Sequence, residues 1–391
     1  MRTFFQFLAS TAALAVMFLS ACATPFEVDS QMQSDGVTPD MLVNQSPLAG
    51  DLGPQDVAGV NILELTPEMR SYIDDHIRDR TDENERLRLL IFAVMGERTF
   101  RLEYDESTRT AAETFRDRRG NCLSFTNMFI AMARYVGLEA RYQEVDVPPD
   151  WSMSGQAFLL SRHVNLEVRT RYNDVQIIDF NVYDFKIRHN RRIISDRRGR
   201  AHYFNNLGAE LMLSGDTEQA LVHFQQSLIE DDDFSPAWIN LGILYRREGY
   251  PAYAEAAFRH ALELDHRDLV AMSNLASLYE AQGFTETALL YRERVESHRM
   301  KNPYYRYLLA NEAFAAGDYQ TAVEHLDFAI DKRRDEDRFL ALMGMSRLML
   351  GDRKESEKWM RRAEEAASKD ADKLRYHNKL ELLLRQDMDR G

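Results

Sequence analysis

The chain has 391 residues, with 63 acidic against 49 basic side chains and a formal net charge of −14. That balance argues against a nucleic-acid partner, which calls for a basic face. Two cysteines cannot build a disulfide framework, and the length leaves room for two or three domains.

The first residues read as a processing segment. Arg2 supplies a minimal positive region, and Phe4 to Leu19 is mostly apolar but too short to span a bilayer comfortably. Leu19-Ser20-Ala21-Cys22 reads as a lipoprotein cleavage box. Residues 1–21 are therefore expected to be a signal peptide, with Cys22 the lipidation site. Ala23 after the cysteine resembles Gram-negative lipoproteins sent to the outer membrane, which implies a lipid-anchored envelope protein facing the periplasm. Residues 22–59 are acidic, polar and free of Lys and Arg. Such a composition predicts a flexible tether.

Residues 60–200 change character. Thr66-Pro67-Glu68 is a helix start, with a capping hydroxyl followed by proline in the first turn. A second helix is expected from about Asn84 to Glu97. Strand-like segments follow at Ala140–Val147, Ala157–Leu160, His163–Thr170 and Val175–Val182. Helices first and strands second predict an α+β domain.

Between them, Gly120-Asn121-Cys122 opens an apolar-periodic run through Phe125, Met128, Phe129, Met132 and Val136, closed by Gly137. The thiol is thus expected at a helix N-terminus, where exposed N–H groups and the macrodipole favour the thiolate. In the strand beginning at His163, Val164, Leu166 and Val168 share one face, with His163, Asn165 and Glu167 on the other.

Order, spacing and context from Ala111 to Tyr183 resemble the transglutaminase-like superfamily, whose triad is a papain-like Cys–His–Asp. The matching positions are Gly120-x-Cys122 opening a helix, His163 starting a strand and Asp179 on the next. The resemblance implies a nucleophile at Cys122, a base at His163 and an orienting carboxylate at Asp179. His163 and Asp179 are 16 residues apart, so a hairpin centred near Arg171 would set them opposite one another. Asn173 and Asp174 hint at a slightly later turn. Departures from the family pattern are Arg162 and Asn165 around the histidine, and Phe180 where a proline commonly follows the aspartate.

Lys186 to Arg200 is strongly basic and reads as a solvated hinge between domains. Beyond it the chain repeats itself. Leu207-Gly208, Leu241-Gly242, Leu275-Ala276, Leu309-Ala310 and Met343-Gly344 recur every 34 residues, as do Gly215, Gly249, Gly283, Gly317 and Gly351. Large apolar residues recur at Phe224, Phe258, Leu326 and Met360, with Arg292 the exception. The pattern resembles the tetratricopeptide repeat. It implies five helix pairs over residues 201–370, starting near Ala201, Ser235, Leu269, Pro303 and Asp337, and a capping helix over 371–391. Asn206, Asn240 and Asn274 fall at equivalent places and are candidates to hydrogen-bond a peptide partner in the repeat groove.

The histidines lack metal-ligand spacing and no glycine-rich phosphate loop is present, so neither metal nor cofactor is implied. The expected fold is an α+β transglutaminase-like (papain-like) domain followed by an all-α repeat solenoid. The expected function is a thiol-dependent amide-bond enzyme on an envelope lipoprotein, acting on a protein or peptide substrate. Its repeats would recruit a protein partner. The alternative is a non-catalytic outer-membrane scaffold that uses the repeats for protein–protein interaction.

Overall fold

The computed structural model describes residues 36–77, 82–96, 99–145, 163–171, 174–180, 191–367, 372–379 and 381. The signal segment with Cys22, the expected strand Ala157–Leu160, and residues 382–391 of the capping helix lie outside them.

A short helix, α1 (Pro39–Asn44), comes first. In the thiol domain, α2 (Pro67–Ile77), α3 (Glu83–Met95) and α4 (Ala111–Asp117) pack around α5 (Cys122–Tyr135). Every residue of α5 from Leu123 to Ala133 is buried, as expected of a central helix that is apolar nearly all round. Two short strands, β1 (Glu103–Tyr104) and β2 (Arg119–Gly120), pair in parallel just before α5. The main sheet holds β3 (Glu139–Val145), β4 (His163–Arg169), β5 (Val175–Ile178) and β6 (Arg191–Ile193) in the order β5-β4-β3-β6. All its pairings are antiparallel. Val164, Leu166 and Val168 join α5 in the core, as their alternation predicts.

Five helix pairs follow: α6 (Asp196–Ser214) with α7 (Thr217–Glu230), α8 (Ser235–Arg247) with α9 (Pro251–Leu264), and α10 (Leu269–Ala281) with α11 (Thr285–Arg299). The last two are α12 (Pro303–Ala315) with α13 (Tyr319–Lys332), and α14 (Asp337–Met349) with α15 (Arg353–Ala366). The glycine in each intra-pair turn has φ between 82° and 88°, a left-handed geometry that a side chain would strain. Residues 372–379 are helical, and Tyr376 is buried against the last pair, its hydroxyl 3.1 Å from Asp337 Oδ2.

The third repeat interrupts the stack. Where other repeats insert a phenylalanine, leucine or methionine, Arg292 stays half-exposed and pairs with Glu280. One apolar core ends at Val295 and a second begins at Ala310. A guanidinium cannot fill the gap between stacked helices without burying its charge.

Three expectations about the first 200 residues change. The tether expected over 22–59 is docked from Gly36 onward. Leu42 is fully buried in the core of the first repeats, with Val37, Val43 and Leu48 packed beside it. Tyr245 Oη donates to Leu42 O (2.6 Å), Gln225 to Val43 O (2.5 Å), and Glu218 accepts from the Leu52 N–H (3.0 Å). Composition judged that segment alone, whereas the repeats supply the apolar surface and the donors.

The boundary at 200/201 runs through a shared core. The first repeat helix starts at Asp196, five residues before the expected Ala201, and its Tyr203 and Phe204 are buried in the thiol domain's core with Phe129 and Tyr142. The described part of the basic run is paired at this junction, so it is no solvated hinge. Glu144 receives Arg192 at 2.6 Å and His202 at 2.7 Å, and Arg200 bridges Glu230 (2.8 Å) and Val60 O (2.5 Å).

Phe204 therefore serves both modules. Phe204→Ala should cost about 3–5 kcal/mol, with thiol domain and first repeats losing structure at lower denaturant together. A variant whose domain transition keeps the native midpoint would contradict the shared core.

Candidate active site

The turn before Cys122 is built for one geometry. Gly120 has φ +155°, and a Cβ there would fall 2.6 Å from Ser124 Cβ. Asn121 caps α5, its Oδ1 accepting from the Ser124 N–H at 3.0 Å. Its own N–H donates to Ser107 O (3.1 Å), and Ser124 Oγ accepts from the Arg109 N–H (2.8 Å). Cys122 is the first residue of α5 and is partly exposed, as the sequence predicts. Its backbone N–H is among those that lack an intrahelical partner.

His163 opens β4 across from Val145 and is 8% exposed. Its Nε2 lies 2.8 Å from both carboxylate oxygens of Asp179. The register pairs Leu166 with Ile178 and Arg169 with Val175. Continued by one residue, it sets Asp179 opposite Asn165, so the hairpin centre lies one position later than Arg171. Because the shift in pairing is two residues, Asp179 stays on the expected face and meets His163 diagonally.

The departures from the family pattern act on this pair. Asn165 is fully buried and donates from Nδ2 to Asp179 Oδ2 at 2.7 Å. Phe180 packs against Phe125 and Phe129 of α5, with ring centroids 5.4 and 6.1 Å apart. The residue after the aspartate thus ties its strand to the helix that carries the thiol.

Burial by itself would push the His163 imidazole down. Hydrogen bonds to Asp179 and Cys122, and the negative charge of both, outweigh it and raise the pKa to about 10. With Nε2 held by Asp179, Nδ1 is the nitrogen left for the thiol. His163 and Asp179 are thus in direct contact, and Cys122 lies near enough for its charge to act on the imidazole.

Sequence reasoning missed Asn165 as a part of the site, and also Tyr104. Tyr104 is 64% exposed on β1. Its phenol is pushed up first by partial burial and then by the charges of Cys122, Glu106 and Asp105. Only its aromatic character in a short extended stretch could have signalled it.

The asparagines proposed for the groove divide. Asn240 donates from Nδ2 to Asn205 Oδ1 on the neighbouring repeat (2.9 Å), and Asn274 to Val270 O of its own helix (2.9 Å). Both are buried, the Asn240 amide tying two repeats together and the Asn274 amide spent on its own helix, so neither donor is free for a peptide; Asn206 is half-buried. Sequence spacing cannot tell a helix–helix face from a groove face one residue away.

A pH dependence follows from the imidazole. Its folded pKa near 10 lies above the unfolded value of about 6.5. The stabilisation is complete below about pH 6.5 and is lost as the pH rises towards 10. Thermal melts of the native protein and Asp179→Asn should therefore differ most near pH 6 and converge towards pH 10. A difference constant across that range would contradict the assignment.

Comparison with known proteins agrees with this architecture. Residues 70–177 match the transglutaminase-like superfamily, a span that contains Cys122 and His163 and ends two residues before Asp179. Residues 235–267 and 303–327 match the tetratricopeptide repeat. No curated protein matches the chain. Among solved structures, PilF of Pseudomonas aeruginosa is similar at 18% identity and TM-score 0.28, over 50% of this chain and 88% of that one. MamA is similar at 20% identity and TM-score 0.25, over 44% and 94%. The tetratricopeptide protein YrrB is similar at 15% identity and TM-score 0.25, over 46% and 92%. The chain thus carries a transglutaminase-like domain, the bearer of Cys122, His163 and Asp179, joined to an array of tetratricopeptide repeats.

Proposed function

We propose that this chain is a thiol enzyme that opens amide bonds of a protein or peptide through an acyl-enzyme on Cys122. The observation that carries the reading is the contact of His163 with both oxygens of Asp179, beside a thiol at a helix N-terminus. His163 takes the Cys122 proton, and Sγ adds to the carbonyl carbon of the amide. The backbone N–H of Cys122 stabilises the oxyanion. As the tetrahedral centre collapses, the C–N bond breaks and the imidazolium gives its proton to the leaving amine. Asp179 keeps the ring oriented throughout. Water or a second amine then attacks the thioester, gives up a proton to His163, and releases Sγ, giving hydrolysis or transfer.

The repeats recruit the protein substrate or a protein partner. Lipidation at Cys22 anchors the chain to the outer membrane on the periplasmic side. Cys22 and Gly36 are separated by at most roughly 50 Å of extended chain, which keeps the docked strap and its repeats near the bilayer.

An activated peptide ester tests the chemistry. Intact-mass analysis should show one acyl group on Cys122, absent in Cys122→Ala. His163→Ala should slow its formation by about 10²–10⁴-fold. Acylation at the rate of a free cysteine, indifferent to His163, would overturn the proposal.

A further inference from the structure

The first repeat reaches the thiol by a continuous set of hydrogen bonds. Glu210, on α6, accepts the Thr108 N–H at Oε1 (2.9 Å). The Thr108 hydroxyl oxygen accepts from Asn121 Nδ2 at 2.8 Å. Asn121 immediately precedes Cys122, and its remaining amide oxygen caps the first turn of α5. The Asn121 amide has one direction available. Asn121 Oδ1 must face the Ser124 N–H, so Nδ2 must donate to Thr108. Thr108 is in turn fixed by Glu210, which holds its backbone N–H.

We propose that Glu210 is a positioning residue for Cys122, acting through Thr108 and Asn121 to fix the helix turn that carries the thiol. The inference rests on the thiol-enzyme reading above. It makes the first repeat part of the active site's support, beside the partner recruitment that the sequence suggests for the repeats. The charged surroundings fit such a role. Burial pushes the Glu210 carboxyl up, hydrogen bonding to Thr108 and the charge of Arg109 hold it down, and Asp105 adds repulsion. Tyr203, on the same helix, has its phenol pushed up by burial and by the charges of Glu113 and Glu210. An anion kept in that setting is held by the donors of the thiol loop.

The test is the rate at which iodoacetamide modifies Cys122 in the full chain, read at that residue by peptide mass spectrometry. Glu210→Ala and Thr108→Val should each slow it by about tenfold, the worth of one hydrogen bond. The double variant should be no slower than either alone, since both break one relay. Glu210→Gln, whose amide oxygen can still accept the Thr108 N–H, should retain most of the native rate. A general loss of stability would not be rescued in that way. Native rates in Glu210→Ala, additive losses in the double variant, or no rescue by glutamine would overturn the inference. His163→Ala in the same series separates the two ideas. If it slows alkylation while Glu210→Ala does not, only the positioning role fails; if neither slows it, the thiol-enzyme reading fails as well.

Discussion

The pair formed by His163 and Asp179 is the constraint around which the thiol domain is arranged. Both side chains are almost wholly buried, with 9% and 6% side-chain exposure. Burial by itself disfavours an imidazolium. The Asp179 carboxylate at hydrogen-bond distance, together with Cys122, reverses that preference. The sheet must therefore deliver both groups to one face, and a slip of one residue in the β4–β5 register would turn Asp179 away. Asn165 and Phe180 oppose such a slip, one by a hydrogen bond to the carboxylate and the other by packing on α5.

A second buried carboxylate joins this sheet to the repeats. Glu144 would be pushed up by burial, but His202, Arg192 and their charges hold it down at about 2. Its partners come from β6 and α6, so one side chain on β3 ties the central sheet to the first repeat. Removing any one partner would leave charge buried without compensation, which is costly even where the pair itself adds little net stability. Arg134 repeats the theme at the surface, bonding Ala140 O and Asp196 from the end of α5. With Tyr203 and Phe204 in the domain core, the repeats and the catalytic candidates share one framework.

What the sequence disclosed was whatever is encoded locally or periodically. Four of the five repeats begin at the residue the 34-residue period predicts, because the turn glycine recurs in all five and the large apolar position in all but the third. The start of α5 was legible from Gly120, Asn121 and the apolar spacing behind them. The second half of the acidic tether was not, since its burial depends on Tyr245, which lies 203 residues from Leu42. The β4–β5 register was off because turn residues fix it, and the alternation on either strand tolerates any even shift. The roles of Asn240 and Asn274 were hidden for a related reason. An amide has the same sequence signature whether its partner is a ligand, a neighbouring repeat or its own helix. Arg292 was visible as an exception, and it stays half-exposed where the other repeats bury an apolar side chain.

The state of the His163 imidazole carries the whole account, and histidine-selective nitrogen NMR reads it directly. Across a pH titration the His163 ring should remain protonated through neutral pH and titrate near 10. In Asp179→Asn, with the carboxylate charge gone, it should titrate well below that. A His163 ring that titrates near its ordinary value of about 6.5, with no response to the loss of Asp179, would contradict the ion pair and the chemistry built on it.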